Sequence, residues 1–236
     1  MSPSSSWAVG VCGFGRCGST MAMMMLAAGG LPPVDGCELP PHELGSIDEA
    51  WHAAAQGRSI KLLGPVTEYP ITTRVRWRFL WLDRDPVEQA RSTIKFVRVF
   101  GLAGEADESD VARVARMART YRRDRSRMLG KLHGLGQVVK LQYELALLDP
   151  RRAAQQLRDG LWPALDIDAA AAVVHDRDGR CLPDLSVELA YLESARLGNQ
   201  LPGPVLGPGA VLSGKPPRDQ GLPPAVPGCE GSRQGD

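Results

Sequence analysis

Short apolar runs alternate with longer amphipathic stretches along most of the chain, the pattern of strands and helices taken in turn. Trp7 to Phe14 (WAVGVCGF) is a run of small and β-branched apolar residues, as a parallel strand buried on both faces requires. It runs into Gly15-Arg16-Cys17-Gly18, after which Ser19 or Thr20 is expected to cap a helix reaching about Ala28, closed by Gly29 and Gly30. Leu31 to Gly45 carries prolines and acids without an apolar period and reads as loop, followed by a short helix over Ile47 to Gln56. Ser59 to Leu63 (SIKLL) and Trp77 to Asp83 (WRFLWLD) read as the second and third strands. Asp85-Pro86 suits a helix start, Asp as cap and Pro in the first turn, and that helix reaches about Phe100. A long amphipathic helix over Ser109 to Leu132 presents Val111, Val114, Met117, Ala118, Tyr121, Met128, Leu129 and Leu132 as its apolar or small positions. Gln137 to Leu141 predicts a fourth strand, and Asp149 to Asp159 a helix after a turn.

Alternating strands and helices predict an α/β domain of three layers, P-loop-type, with a mainly parallel sheet flanked by helices, over residues 1–197. From Gly198 onward Gly and Pro dominate and no apolar period survives, so 198–236 reads as a disordered tail.

Composition narrows the partners. With 236 residues the chain can bury a real core. A formal net charge of +1 argues against a general nucleic-acid binder or a membrane-surface binder, so an anion site has to be local. Five irregularly spaced cysteines form no CxxC pair and no metal-ligand cluster, which suits a reduced, cytoplasmic protein without a metal site. The apolar Met21 to Ala28 is too short to span a bilayer and lacks a basic leader, so it is read as helix rather than as an export signal.

The candidate chemistry begins at Gly13 to Thr20 (GFGRCGST). Glycines between a strand and a helix let backbone N–H groups converge on an oxyanion. A Walker A loop, GxxxxGK(S/T), would place lysine where Ser19 stands, and the cation has instead moved to Arg16. No clear Walker B acid follows a later strand, since Trp77 to Leu82 ends in Asp83-Arg84-Asp85.

This loop resembles the 5′-phosphosulfate loop of PAPS-dependent sulfotransferases, commonly G-x-P-(R/K)-S-G-(S/T)-(S/T). Arg84-Asp85-Pro86, with Ser92 eight residues after the arginine, resembles that family's 3′-phosphate element. Ser59 to Pro65 is similar to its second strand, and Val139 to Pro150 (VKLQYELALLDP) to its late strand and "Y-E-x-L-x-x-D-P" turn. The resemblance implies a sulfuryl transferase using PAPS (3′-phosphoadenosine 5′-phosphosulfate) as co-substrate, without metal, with a small-molecule or carbohydrate acceptor bearing a hydroxyl or amine. It implies that Gly15, Arg16, Cys17, Gly18, Ser19 and Thr20 hold the 5′-phosphate, with Arg16 neutralising the leaving group. Arg84 and Ser92 would then hold the 3′-phosphate. It further implies a general base after the first helix, Glu38 first and Asp35 second, with His42 and Glu43 nearby, and a cation, Lys61, near the transferred group. Cys17 and Gly15 depart from the family's serine and proline, and the late R-K-G-x-x-G segment that also touches the 3′-phosphate is absent from the sequence. Two other readings stand beside it: a P-loop small-molecule kinase, and a nucleotide-binding module without catalysis. The arginine-rich stretch from Arg113 to Arg127 reads as a solvated helix face or, alternatively, as a docking surface for an acidic acceptor.

Overall fold

Five strands and seven helices make up the described part of the computed structural model, which covers residues 7–38, 49–64, 71, 75–99, 110–175 and 181. In chain order they are β1 (Trp7–Gly13), α1 (Ser19–Ala28), β2 (Pro33–Glu38), α2 (Glu49–Ala54), β3 (Ser59–Leu63), β4 (Arg76–Asp83) and α3 (Pro86–Val99). There follow α4 (Asp110–Leu135), β5 (Gly136–Gln142), α5 (Tyr143–Leu148), α6 (Pro150–Gly160) and α7 (Ile167–Ala172). The strands lie in the order β2-β3-β1-β4-β5, all parallel, so every C-terminal strand end opens on one rim.

Period-2 alternation divides the core. Trp77, Phe79 and Trp81 of β4, with Ala8 and Cys12 of β1, pack on one face against Met128, Leu129 and Leu132 of α4. Leu80 and Leu82, with Val9 and Val11, pack on the other against Met25 and Leu26 of α1, Leu157 of α6 and Ala170 of α7. Helices on both faces of a parallel sheet give the three layers that the pattern predicts. Phe79 is fully buried, and truncating such a side chain costs about 3–5 kcal/mol.

Some elements differ from the sequence pattern. Pro33 to Glu38 is a strand rather than loop, because pairing with β3 holds a segment whose Pro, Asp and Gly have little strand preference of their own. Glu38 therefore ends an edge strand, its Cα in register with Lys61. The turn expected before α6 is itself a short helix, α5, and α7 adds a helix that no motif announces. Val111 is 81% exposed, so the apolar face of α4 begins further along, at Ala118. His42, Glu43 and the tail 198–236 lie outside the described residues.

Candidate functional site

The loop between β1 and α1 is shaped by two left-handed residues. Gly18, at φ 92°, is the cap of α1. The cap position is a glycine, with no side chain to accept a hydrogen bond, so neither Ser19 nor Thr20 caps the helix; both belong to the first turn instead. A Cβ at Gly18 would stand 2.5 Å from the Tyr143 ring, so a larger residue there would have to displace the ring. Arg16 has φ 66°, and among the described residues it is the one non-glycine with positive φ. Such a conformation costs roughly 1–2 kcal/mol and persists only where neighbours hold it.

Those neighbours are on α3. Gln89, Ser92 and Phe96 share one helix face at i, i+3, i+7 spacing. The Gln89 amide donates to the carbonyls of Phe14 (3.2 Å) and Gly15 (2.9 Å). Ser92 Oγ accepts from Arg16 Nε at 3.2 Å, and the Arg16 guanidinium lies over the Phe96 ring, 4.8 Å from its centroid. Three successive loop residues are thus held by one face of α3, Phe14 and Gly15 by Gln89 and Arg16 by Ser92 and Phe96.

Arg84 completes the arrangement from the end of β4. Its Nη1 donates to the Arg16 carbonyl at 2.9 Å, and its guanidinium lies 4.5 Å from the Tyr143 centroid. Asp85 caps α3 by accepting from the amides of Val87 and Glu88, both at 2.9 Å, as its position before Pro86 predicts. Glu144 on α5 in turn accepts from the Asp85 amide at 3.2 Å. The two segments that carry the family resemblance, 13–20 and 84–92, therefore meet in space. Gln89 and Phe96 are neighbours of the loop that motif reading did not select, whereas Tyr143 is the tyrosine of the Y-E-x-L-x-x-D-P turn, to which no role was given. The helical spacing of Gln89 and Phe96 around Ser92 was the available signal.

Asp83 occupies the place of a Walker B acid, at the end of the strand beside β1. Its oxygens are engaged: Oδ1 accepts from Trp81 Nε1 and Arg125 Nε, both at 2.7 Å, and Oδ2 pairs with Arg125 Nη2. Burial pushes its carboxyl up, but the hydrogen bonds from Arg125 and Trp81 and the Arg125 charge outweigh that and hold it below its ordinary range. On the same side, Phe14 stacks on Tyr121 of α4 (centroids 4.8 Å apart) and meets Trp81 edge-on at 5.7 Å. Tyr121 shares a 3.1 Å hydrogen bond with Thr93.

Lys61, 6% exposed on β3, reaches the other side of the loop, where Nζ donates to Thr20 Oγ1 at 3.4 Å. A buried ammonium at the first turn of α1 adds to the positive end of the helix dipole. Cys17 is fully buried beneath the loop, and burial pushes its thiol up to about 11. It is a packing residue and not a reactive thiolate.

Among the described residues no group of three His, Cys, Asp or Glu could hold a metal ion, and no helix is long and apolar enough to cross a membrane. An open groove of about 700 Å³, lined by Lys140, Gln142, Arg152 and Gln156 among others, runs between β5 and α6, away from the loop. The candidate site is taken at the loop and its charged neighbours, Arg16, Lys61 and Arg84, and not at this groove.

No family profile and no curated protein sequence matches the chain. Among solved structures it is similar to a retinol dehydratase in complex with androsterone and the inactive cofactor PAP, at 14% identity and a TM-score of 0.49. That match covers 73% of this chain and 64% of that one, so the chain spans less than two thirds of that protein's length. It is similar also to the sulfotransferase domain of the Synechococcus PCC 7002 olefin synthase, at 16% identity and a TM-score of 0.47, covering 85% of this chain and 90% of that one. A retinol dehydratase in a complex with retinol and PAP matches at 15% identity and a TM-score of 0.41, over 84% of this chain and 68% of that one. At such identities only the residues of the site can assign a chemistry.

Proposed function

We propose that this protein is a PAPS-dependent sulfotransferase, moving a sulfuryl group to a hydroxyl or amine of a small-molecule or carbohydrate acceptor. The observation that carries the reading is the meeting of Arg16 with Ser92 and of Arg84 with the Arg16 carbonyl. Two segments far apart in sequence converge there, and the reading gives each an anion to bind, as a nucleotide bearing both 5′- and 3′-phosphates would require.

The backbone amides of Cys17 to Thr20 and the hydroxyls of Ser19 and Thr20 would hold the 5′-phosphate at the α1 terminus, with Gly15 and Gly18 giving the backbone its approach. Lys61, beside Thr20, would neutralise charge where the sulfur–oxygen bond to that phosphate breaks and its electron pair passes to the phosphate oxygen. The acceptor oxygen or nitrogen forms the new bond to sulfur and gives its proton to a carboxylate. Glu38, ending β2 in register with Lys61, is our choice for that base ahead of Asp35. Every bond broken is matched by one formed, and no metal is needed. Cys12 and Cys17 are buried thiols in no disulfide, which suits a reducing compartment, and we place the enzyme in the cytoplasm.

A kinase reading draws on Lys61, which could stand in for the missing Walker lysine. Asp83 weighs against it, because the carboxylate that would bind Mg²⁺ already has Arg125 and Trp81 on its oxygens. Calorimetry with PAP, the desulfonated product, against ATP with magnesium separates the two. Tighter binding of PAP is expected, and preference for ATP·Mg²⁺ would sink the sulfotransferase. Arg84→Ala should weaken PAP more than adenosine 5′-phosphosulfate, whereas an equal loss for both would remove the 3′-phosphate role.

A further inference from the structure

Gly15 stands where the loop it resembles commonly carries proline. Neither crowding nor backbone conformation demands a glycine there. A Cβ at Gly15 would meet no atom within 4 Å, and its φ lies outside the left-handed region that Arg16 and Gly18 occupy. What glycine has and proline lacks is a backbone N–H. The direction of that N–H is set from α3. Gln89, 3% exposed, donates its side-chain amide to the carbonyls of Phe14 at 3.2 Å and Gly15 at 2.9 Å, and Arg84 Nη1 donates to the Arg16 carbonyl at 2.9 Å. Among the described residues no peptide bond is cis, and in a planar trans peptide the N–H points opposite to the C=O. Three successive carbonyls drawn toward the start of α3 therefore turn the amides of Gly15, Arg16 and Cys17 the other way. In the sheet, β4, which leads into α3, flanks β1 on one side, and β3, which carries Lys61, flanks it on the other. The Gly15 amide is thus turned away from α3 at an exposed position of the loop.

We infer that the Gly15 amide is a further donor to the 5′-phosphate, joining those of Cys17 to Thr20, and that Gln89 is the positioning residue that aims it. This rests on the sulfotransferase reading, which puts the 5′-phosphate at this loop. Successive backbone amides turned to one side make a concavity that an oxyanion fills. At Gly15 the chain makes a hydrogen bond that a loop with proline cannot make, and Gln89 acts on the ligand only through the peptide planes that it holds.

The test compares PAP with adenosine 3′-monophosphate, which differs from it only by lacking the 5′-phosphate. Isothermal calorimetry is run on the full chain as wild type, Gly15→Ala, Gly15→Pro, Gln89→Met and the double variant of Gly15→Pro with Gln89→Met, with circular dichroism confirming each fold. Alanine adds a Cβ and keeps the amide, whereas proline removes the amide. The preference of Gly15→Pro for PAP is expected to fall about tenfold or more below that of Gly15→Ala, the scale of a lost hydrogen bond to a charged group. Gln89→Met should lower the preference as well, and Gly15→Pro should cost less in that background, because the amide there has already lost its aim. If a variant does not fold, proton–nitrogen NMR of the wild type carries the test: the Gly15 amide proton should move downfield with PAP and stay in place with the 3′-monophosphate. Equal preference in Gly15→Pro and Gly15→Ala, or a Gly15 amide proton that PAP leaves in place, overturns the donor. Effects of Gly15→Pro and Gln89→Met that add without coupling overturn the positioning role. All of these leave the sulfotransferase reading standing, whereas a wild-type protein that binds the two nucleotides equally overturns both.

Discussion

Arg125 on α4 grips Asp83, the last residue of β4, with two nitrogens, and Asp83 is followed directly by Arg84. A structural ion pair therefore stands immediately behind a proposed ligand-binding residue. The Asp83 carboxyl is held below its ordinary value near 4. A depressed folded-state pKa means stabilisation that is present above the unfolded value and lost as pH falls through the folded one. Asp83→Asn should lower stability at neutral pH by about 1.5–3 kcal/mol, the scale of hydrogen bonds to charged groups. It should also flatten the fall of Tm below pH 4. Thermal melts from pH 3 to 7 measure this, and parallel curves for the two proteins would refute it.

Gly18→Ala should damage the loop in two separable ways. The left-handed backbone costs about 1–2 kcal/mol for any residue with a Cβ, and that Cβ meets the Tyr143 ring at 2.5 Å. We expect a lower Tm and at least tenfold weaker PAP binding. In a Tyr143→Ala background, itself destabilised by loss of a buried ring, the clash is gone and the backbone cost remains, so Gly18→Ala should lower Tm there by less than in the wild type. No loss of Tm in that background would mean that the φ of 92° carries no strain.

Lys61→Met keeps much of the side-chain volume and removes the charge beside Thr20. Losing one preorganised donor at a transition state typically costs about 10²–10³ in kcat. Single-turnover assays should show that loss with a smaller change in nucleotide affinity. An effect confined to affinity would make Lys61 a binding residue only.

Cys12 and Cys17 should resist iodoacetamide at pH 8 while the partly exposed Cys181 reacts. Both are fully buried, and burial raises both thiols, that of Cys17 to about 11, so each is protonated at that pH. Peptide mapping of the alkylated native protein checks this. Early modification of Cys17 would show that the loop opens far more readily than its packing allows.

The strands of the centre were legible because their alternation is strong. Trp77, Phe79 and Trp81 on one face and Leu80 and Leu82 on the other leave little choice of element. β2 was not legible, since Pro33-Val-Asp-Gly-Cys-Glu becomes a strand only through its neighbour β3. Val111 looked like core because helical spacing is blind to where the sheet ends. The loop was recognisable from its glycines and Arg16, but its supports were not. Gln89 has no motif, and its value lies in two backbone carbonyls that sequence cannot place. Ser19 looked like a cap by residue type, yet a glycine in the left-handed region took that position.

The grip of Gln89 on Phe14 and Gly15 bears on how fast a ligand is captured. With those carbonyls fastened to α3, the peptide planes of the loop are oriented before any nucleotide arrives. The ordering entropy falls on folding rather than on association. Capture should then be governed by encounter between a small polyanion and a local positive field, so that its rate constant declines with added salt and shows no saturation at high nucleotide concentration.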